Sequence, residues 1–411
     1  MQEKELIPHL FRTEYRKIIS VLCKVFGFEY IAVAEDIVSE TFLLAAETWG
    51  LKGLPDNPNA WLYTVAKNKA KNYLKHHAVF NQKIVQQLNR MPADAEPIEI
   101  DLSDKNIQDS QLQMIFAVCN PAISVEAQIG LSLRILCGFG IGEIADAFLT
   151  NKETINKRLF RAKEKLREEK VKIEFPDASE INNRLETVLR TLYLLFNEGY
   201  YSSGADTTLR KDLCLEAMRL CHLLIDNEQT NLPPANALLS LMCFHASRFE
   251  ARIDGNGEVV LYQDQDTSLW NTELMQRGEY FLNKASKGDK LSKYHLEAGI
   301  AYWHTIKADS GQKWENILQL YNQLLVTEYS PMAALNRTYA LSKANGKLEG
   351  IVEAEKLKLE SNHLYHSLLG ELYTGIDNVK AVAHLGIALK LAKSKGDKNI
   401  IRNKILIGKI P

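Results

Sequence analysis

The sequence lacks most of what would mark an enzyme, a secreted scaffold or a membrane protein. Its six cysteines, Cys23, Cys119, Cys137, Cys214, Cys221 and Cys243, are scattered through apolar segments without one C-x-x-C pair. That scatter argues against a zinc site and a disulfide framework, and makes them reduced core residues. Long apolar runs are also missing. Arg134 interrupts the one around Leu131–Ile141 and no apolar h-region follows Met1, so the expectation is a cytoplasmic protein with no membrane association. No Gly-rich phosphate loop, nucleophile elbow or metal-ligand spacing occurs. Asp254, Asn256 and Glu258 resemble the start of a calcium loop, but Val259 stands where that loop needs Gly and Gln265 where it needs Glu. His363 and His366 lie three apart with no carboxylate set beside them. The chain is therefore expected to carry no metal, no cofactor and no catalytic centre.

Net charge is nearly absent as well: 50 Lys and Arg against 51 Asp and Glu leave −1 over 411 residues. The balance conceals strong local asymmetry, with basic stretches at 61–90 and 152–172 and acidic segments between and after them. No Asp or Glu occurs between Asp56 and Asp94. Inside that gap lies WLYTVAKNKAKNYLKHH, Trp61 to His77. As a helix it puts Leu62, Ala66, Ala70 and Tyr73 on one stripe and Lys67, Asn68, Lys71, Asn72 and Lys75 on the opposite face. Lysines neutralise phosphates and asparagine amides bond base edges, so that face suits DNA. A solvated surface helix is the alternative, but such a face normally mixes signs for solubility.

Before this stretch, helices are expected over about Ile7–Val25 and Ala32–Trp49. The second carries apolar Ile37, Phe42, Leu44, Ala45 and Trp49 with acidic Glu35, Asp36, Glu40 and Glu47, and ends at Gly50 and Gly53 before Pro55 and Pro58. AEDIVSETFLLAAETW, the loop and WLYTVAKNKAKNYL together resemble the second conserved region of extracytoplasmic-function sigma factors of the sigma-70 class. The resemblance implies a region of residues 1–79 whose acidic-aromatic helix docks on core RNA polymerase through Asp36, Glu40, Phe42 and Trp49. It places Asn68, Lys69, Lys71, Asn72 and Lys75 on the promoter −10 element, with the loop Pro55–Asn59 where the family captures a flipped base.

From Phe80 to Asp109 periodicity weakens while prolines and acids accumulate, so 80–109 reads as a linker. The segment 110–172 ends in a helix-turn-helix pattern. Ala145 lies on a short first helix and Ile155 ten residues later, while Thr150 and Glu153 read as a capping box. Ile155, Leu159, Ala162 and Leu166 form the stripe to be buried. An ordinary helical hairpin would share these features. GFGIGEIADAFLTNKETINKRLFRAKEKLRE resembles the fourth sigma region, which implies that Asn156, Lys157, Phe160 and Arg161 meet the −35 element. Lys152, Arg158 and Lys163 would then sit on phosphates.

Residues 180–411 read as ten further helices, and Gly370, Tyr373, Ala381, Leu385 and Ala388 approximate tetratricopeptide spacing. YLLFNEGYYSSG, VVLYQDQDTSLWN and SPMAALNRTYAL resemble the C-terminal extension of one sigma subgroup, often called group 42. The expected fold is thus all-α: two small helical sigma domains joined by a linker, then a helical-repeat domain. The resemblance implies core RNA polymerase and promoter DNA as partners, and a tail that answers to a regulatory protein or ligand. A one-component helix-turn-helix regulator with a ligand-binding tail is the alternative. The block 33–77 separates the two, since a repressor has no use for a polymerase-docking helix.

Overall fold

Every regular element of the computed structural model is helical among the described residues, which are 3–87, 100–148, 150–200, 209–255, 260–393 and 395–408. Its contacts divide the chain into two units, Met1–Thr191 and Leu192–Pro411.

The first unit opens with α1 (Glu3–Phe26), α2 (Ile31–Lys52) and α3 (Pro58–Gln87). Their apolar stripes meet in a core of Tyr15, Ile18, Ile19, Leu22, Leu62, Ala66 and Ala70, all with no exposed surface. The small alanines let α3 lie close against its neighbours. Helix α4 (Asp104–Val118) is capped by Ser103, whose Oγ accepts from Asn106 N, and packs on α1. The stretch expected to be a linker, 80–109, is therefore helical at both ends, in α3 to Gln87 and in α4 from Asp104; residues 88–99, with Pro92 and Pro97, lie outside the described residues.

Next come α5 (Val125–Leu131), a single π-helical turn at Ser132–Leu136, α6 (Ile141–Ala147), α7 (Lys152–Glu168) and α8 (Ile181–Tyr200), within which the unit boundary falls. After the π turn Gly138 adopts φ +73°, and a Cβ there would stand 3.1 Å from the Arg12 carbonyl, so the position requires glycine on both counts. The α7 stripe Ile155, Leu159, Ala162 and Leu166 is buried as its spacing predicts. Its cap is not the expected one. Thr150 N closes α6 by donating to Ala145 O, and Asn151 takes over at N-cap, accepting from Thr154 N at 2.8 Å. Leu149, where many such turns have glycine, lies outside the described residues.

The second unit contains α9 (Lys211–Ile225), α10 (Pro233–Ala246), the single turn α11 (Phe249–Arg252), α12 (Thr272–Ala285), α13 (Lys293–Thr305), α14 (Gly311–Thr327), α15 (Pro331–Asn345), α16 (Lys347–Lys356), α17 (His363–Tyr373), α18 (Asn378–Leu391) and α19 (Lys395–Gly408). Helix α10 is its centre, with every residue from Ala235 to Phe244 buried. A helix apolar on all sides has to be surrounded, and α9, α12 and α13 surround it. From α13 onward each helix packs on the next, with successive cores at Leu296, Trp314 and Leu341, at Leu335, Leu369 and Ala381, and at Leu385, Ala388 and Ile401. Gly370 allows one such approach: a Cβ there would fall 2.6 Å from Leu385 Cγ. The ten tail helices expected from periodicity are present; α11 and α19 were not anticipated.

Candidate nucleic-acid and polymerase interface

Helix α3 is anchored from below. Tyr63 donates its hydroxyl to Glu14 Oε2 at 2.5 Å, and burial together with that carboxylate pushes the phenol well above its ordinary range. Trp61 meets Trp49 edge to face at 5.3 Å, and Tyr73 tilts on Phe26 at 5.6 Å. With these contacts beneath, Asn68, Lys71, Asn72 and Lys75 are exposed together on one face. Lys69 is half-buried and gives its ammonium to Glu40 Oε2 at 2.6 Å, tying α3 to α2.

Helix α2 departs from expectation at two positions. Phe42 is 4% exposed and Trp49 is 6% exposed, so neither presents a surface to a partner. Phe42 packs edge-on against Phe11 at 5.0 Å, and Trp49 holds Trp61. Aromatic rings bury more apolar area than the acids between them, which turns those acids outward. The outer stripe is Asp36, Glu40, Leu43, Leu44, Glu47 and Leu51, with Leu43 60% and Leu51 88% exposed. Leu43, Glu47 and Leu51 belong to that surface and were missed. The available signal was their spacing of four from one another, beginning three residues after Glu40.

On α7, Lys152, Asn156, Lys157, Phe160 and Arg161 are exposed, and Lys157 pairs with Glu153 at 2.6 Å. Arg158 lies half-buried over the Phe148 ring at 5.3 Å, so in this arrangement its guanidinium is used on the turn that positions the helix. Lys163 is engaged too. Glu35 of α2 accepts from Lys163 Nζ at 2.5 Å and from Arg134 Nε at 3.3 Å, and Arg12 of α1 pairs with Glu143 of α6 at 2.5 Å. A cleft of about 470 Å³ separates Phe28, Ile31 and Ala32 from Asn156, Phe160 and Lys163. The two candidate DNA-reading helices thus belong to one packed unit, in which carboxylates hold Lys69, Lys163, Arg134 and Arg12.

All six cysteines are free and buried, and burial raises the thiol pKa of Cys119 to about 11. Among the described residues no group of three or more His, Cys, Asp and Glu could hold a metal, and no helix is long and apolar enough to cross a membrane. Asn256, Glu258 and Val259 of the calcium-like loop, and residues 201–204 of the YYSSG block, lie outside the described residues.

This three-helix arrangement presents one basic amide-bearing face on α3 and one acidic-apolar face on α2. Residues 10–79 match sigma-70 region 2, which supports a member of the sigma-70 family. That match supports a sigma factor role in RNA-polymerase-directed transcription and implies core polymerase and promoter DNA as partners. Residues 184–286 match a family of unknown function, DUF6596. An uncharacterized protein of Rhizobium meliloti (strain 1021) is 30% identical over 387 residues, 92% of this chain and 90% of its own length. No solved structure matches.

Proposed function

We propose that the chain is an extracytoplasmic-function type sigma factor, non-enzymatic and cytoplasmic, whose second unit is a tetratricopeptide-like domain that regulates it. The carrying observation is the pairing of two outward faces on residues 10–79: Asn68, Lys71, Asn72 and Lys75 on α3, and Asp36, Glu40, Leu43, Glu47 and Leu51 on α2. The first reads the −10 element, with Lys69 released from Glu40 when phosphate competes for it. The second docks on core polymerase, where exposed leucines between acids supply apolar contact at the centre and charge at the rim.

On α7, Asn156, Lys157, Phe160 and Arg161 read the −35 element, while Lys152 and, on release from their present contacts, Arg158 and Lys163 neutralise phosphates. Base contacts set promoter choice and phosphate contacts set affinity. Lys163 can reach a phosphate only by leaving Glu35, so engagement of both promoter elements is coupled to separation of α2 from α7.

The test is in vitro transcription by bacterial core polymerase on a promoter library, using the full chain and its Leu51→Asp and Asn72→Ala variants. Specific transcripts are expected from the full chain. Leu51→Asp should lose core binding, and Asn72→Ala should keep core binding while losing promoter-specific output. Absence of transcripts, with specific duplex binding in the absence of polymerase, would establish the one-component regulator instead. A chain stopped after α8 then gives the sign of the tail's effect. A stop near Lys172 would cut into the first unit, because Arg184 donates to Phe116 O and Thr191 to Gln128 Oε1.

A further inference from the structure

The second unit holds a cluster of cations that neither the sigma role nor ordinary core packing uses. Arg248 follows α10, Lys307 follows α13 and Lys313 lies in the first turn of α14. All three converge on the Tyr262 ring, the Arg248 guanidinium carbon 5.6 Å, Lys307 Nζ 6.0 Å and Lys313 Nζ 5.4 Å from its centroid. Arg248 is 8% exposed and Lys313 2%. His304 stands edge-on to Tyr262 at 5.0 Å, and Trp270 lies 6.2 Å from the same ring.

Among the described residues carboxylates do not balance these charges. Asp309 is the nearest to Lys313, and it is already engaged by Trp314 Nε1 and by Lys343 at 3.0 Å. Asp266, toward Lys307, is exposed and accepts from Ser268 N at 2.8 Å. Lys313 instead donates to Tyr262 Oη at 3.0 Å and Ile306 O at 2.5 Å, and Lys307 to Gln265 O at 2.8 Å. Arg248 Nη2 lies against His245 Nδ1, at 3.3 Å. Four buried polar atoms of the cluster have no hydrogen-bond partner among the described residues: Arg248 Nε, His304 Nδ1, Trp270 Nε1 and Gln265 Oε1. Burying a cation without a counter-charge is costly, and cation–π contacts return only part of that cost. Arg248 Nε and Trp270 Nε1 are obligate donors, and a carboxylate or phosphate offers only acceptors.

We propose that Arg248, Lys307, Lys313, His304 and Trp270 form a binding site for the terminal oxyanion of a small molecule, seated against the Tyr262 ring. Lys307, exposed at the rim, marks the entry. Arg248 and Lys313 sit too deep for a nucleic-acid backbone to reach, so the ligand is small. Gln265 Oε1 is left to accept from a hydroxyl or N–H group on it. The site stands whether or not the chain acts as a sigma factor, since binding is read on the protein alone.

The experiment titrates the full chain with inorganic phosphate and, separately, with citrate, against chloride at matched ionic strength. Tryptophan emission, to which Trp270 and Trp314 contribute among the five tryptophans, and thermal unfolding are followed in parallel. A saturable emission change and a rise in unfolding temperature of roughly 3 °C or more are expected with at least one anion. The responding anion identifies the ligand as phosphate- or carboxylate-bearing. Arg248→Gln and Lys313→Met should weaken the apparent affinity about tenfold or more; if either fails to fold, Lys307→Gln at the rim should still weaken it severalfold. No saturable response in the unsubstituted chain, or equal responses in all variants, would overturn the site and reduce the cluster to internal cation–π packing.

Discussion

The two units treat charge in opposite ways. In Met1–Thr191 the cations that matter are paired with carboxylates near the surface: Lys69 with Glu40, Arg12 with Glu143, and Arg134 and Lys163 with Glu35. In Leu192–Pro411 a group of cations and imidazoles is drawn inside, around Tyr262, with too few carboxylates to match. Paired charges near water exchange partners at small cost, as the proposed exchange of a carboxylate for a phosphate requires. Charges held inside a fold resist exchange and suit selective capture of one counter-ion. The first unit keeps these charges near its surface, and the second draws them inside.

The strongest way to break this contrast is on α2, where the two kinds of position lie side by side. Phe42→Ala should unfold or loosen the first unit by roughly 3–5 kcal/mol, read as a shift in its urea midpoint. Leu51→Asp should leave stability within about 0.5 kcal/mol while core-polymerase affinity falls tenfold or more. If Phe42→Ala instead keeps the fold and loses polymerase, the faces of α2 have been exchanged.

Acid sharpens the contrast from the other side. Burial, with Arg248 and Lys313 nearby, lowers the His304 pKa to about 3. The folded value lies below the unfolded 6.5, so the unfolded chain binds more protons in the window between them. The stability His304 contributes is complete above pH 6.5 and is lost as pH falls, by about 2 kcal/mol at pH 5. Burial raises Glu297 to about 7, which has the opposite sign: its contribution is present at low pH and lost as pH rises from 4.5 through 7. Urea midpoints of the second unit at pH 7 and pH 5 should therefore move less in the acid direction in His304→Gln, and further in Glu297→Gln, than in the unsubstituted chain. Identical pH slopes in all three would show that these two groups do not govern the acid response.

Smaller effects probe the surface pairs. Glu35→Ala should cost roughly 1–2 kcal/mol of stability, because it frees both Arg134 and Lys163, and should raise non-specific DNA affinity at low salt. Unchanged DNA binding would mean that Glu35 does not restrain α7. Asn156→Ala should lose about 1 kcal/mol of discrimination at one base position, whereas Lys163→Ala should lower affinity on all sequences and reduce the salt slope by about one. Equal losses from both across every sequence would undo the division between base and phosphate contacts.

The order of helices was legible in the chain because periodicity is a local property. Leu62, Ala66 and Ala70, and Ile155, Leu159, Ala162 and Leu166, declare their buried stripes by spacing alone, and so do Ala381, Leu385 and Ala388 in the tail. The polar face of α3 could be read for the same reason, since whatever is not in the stripe is left for solvent or DNA. Sequence also showed six cysteines without a C-x-x-C pair and apolar runs that are interrupted. What spacing could not settle was which of two rival faces on α2 turns inward. Phe42 and Trp49 compete with Leu43, Leu44 and Leu51 for burial, and the outcome rests on Phe11 and Trp61, contributed by other helices. Likewise Glu35 meets Lys163 across 128 positions, and Arg248 meets Lys313 around a tyrosine from a third segment. Such long-range meetings leave no periodic trace, because only the packing of whole helices determines which side chains share a space.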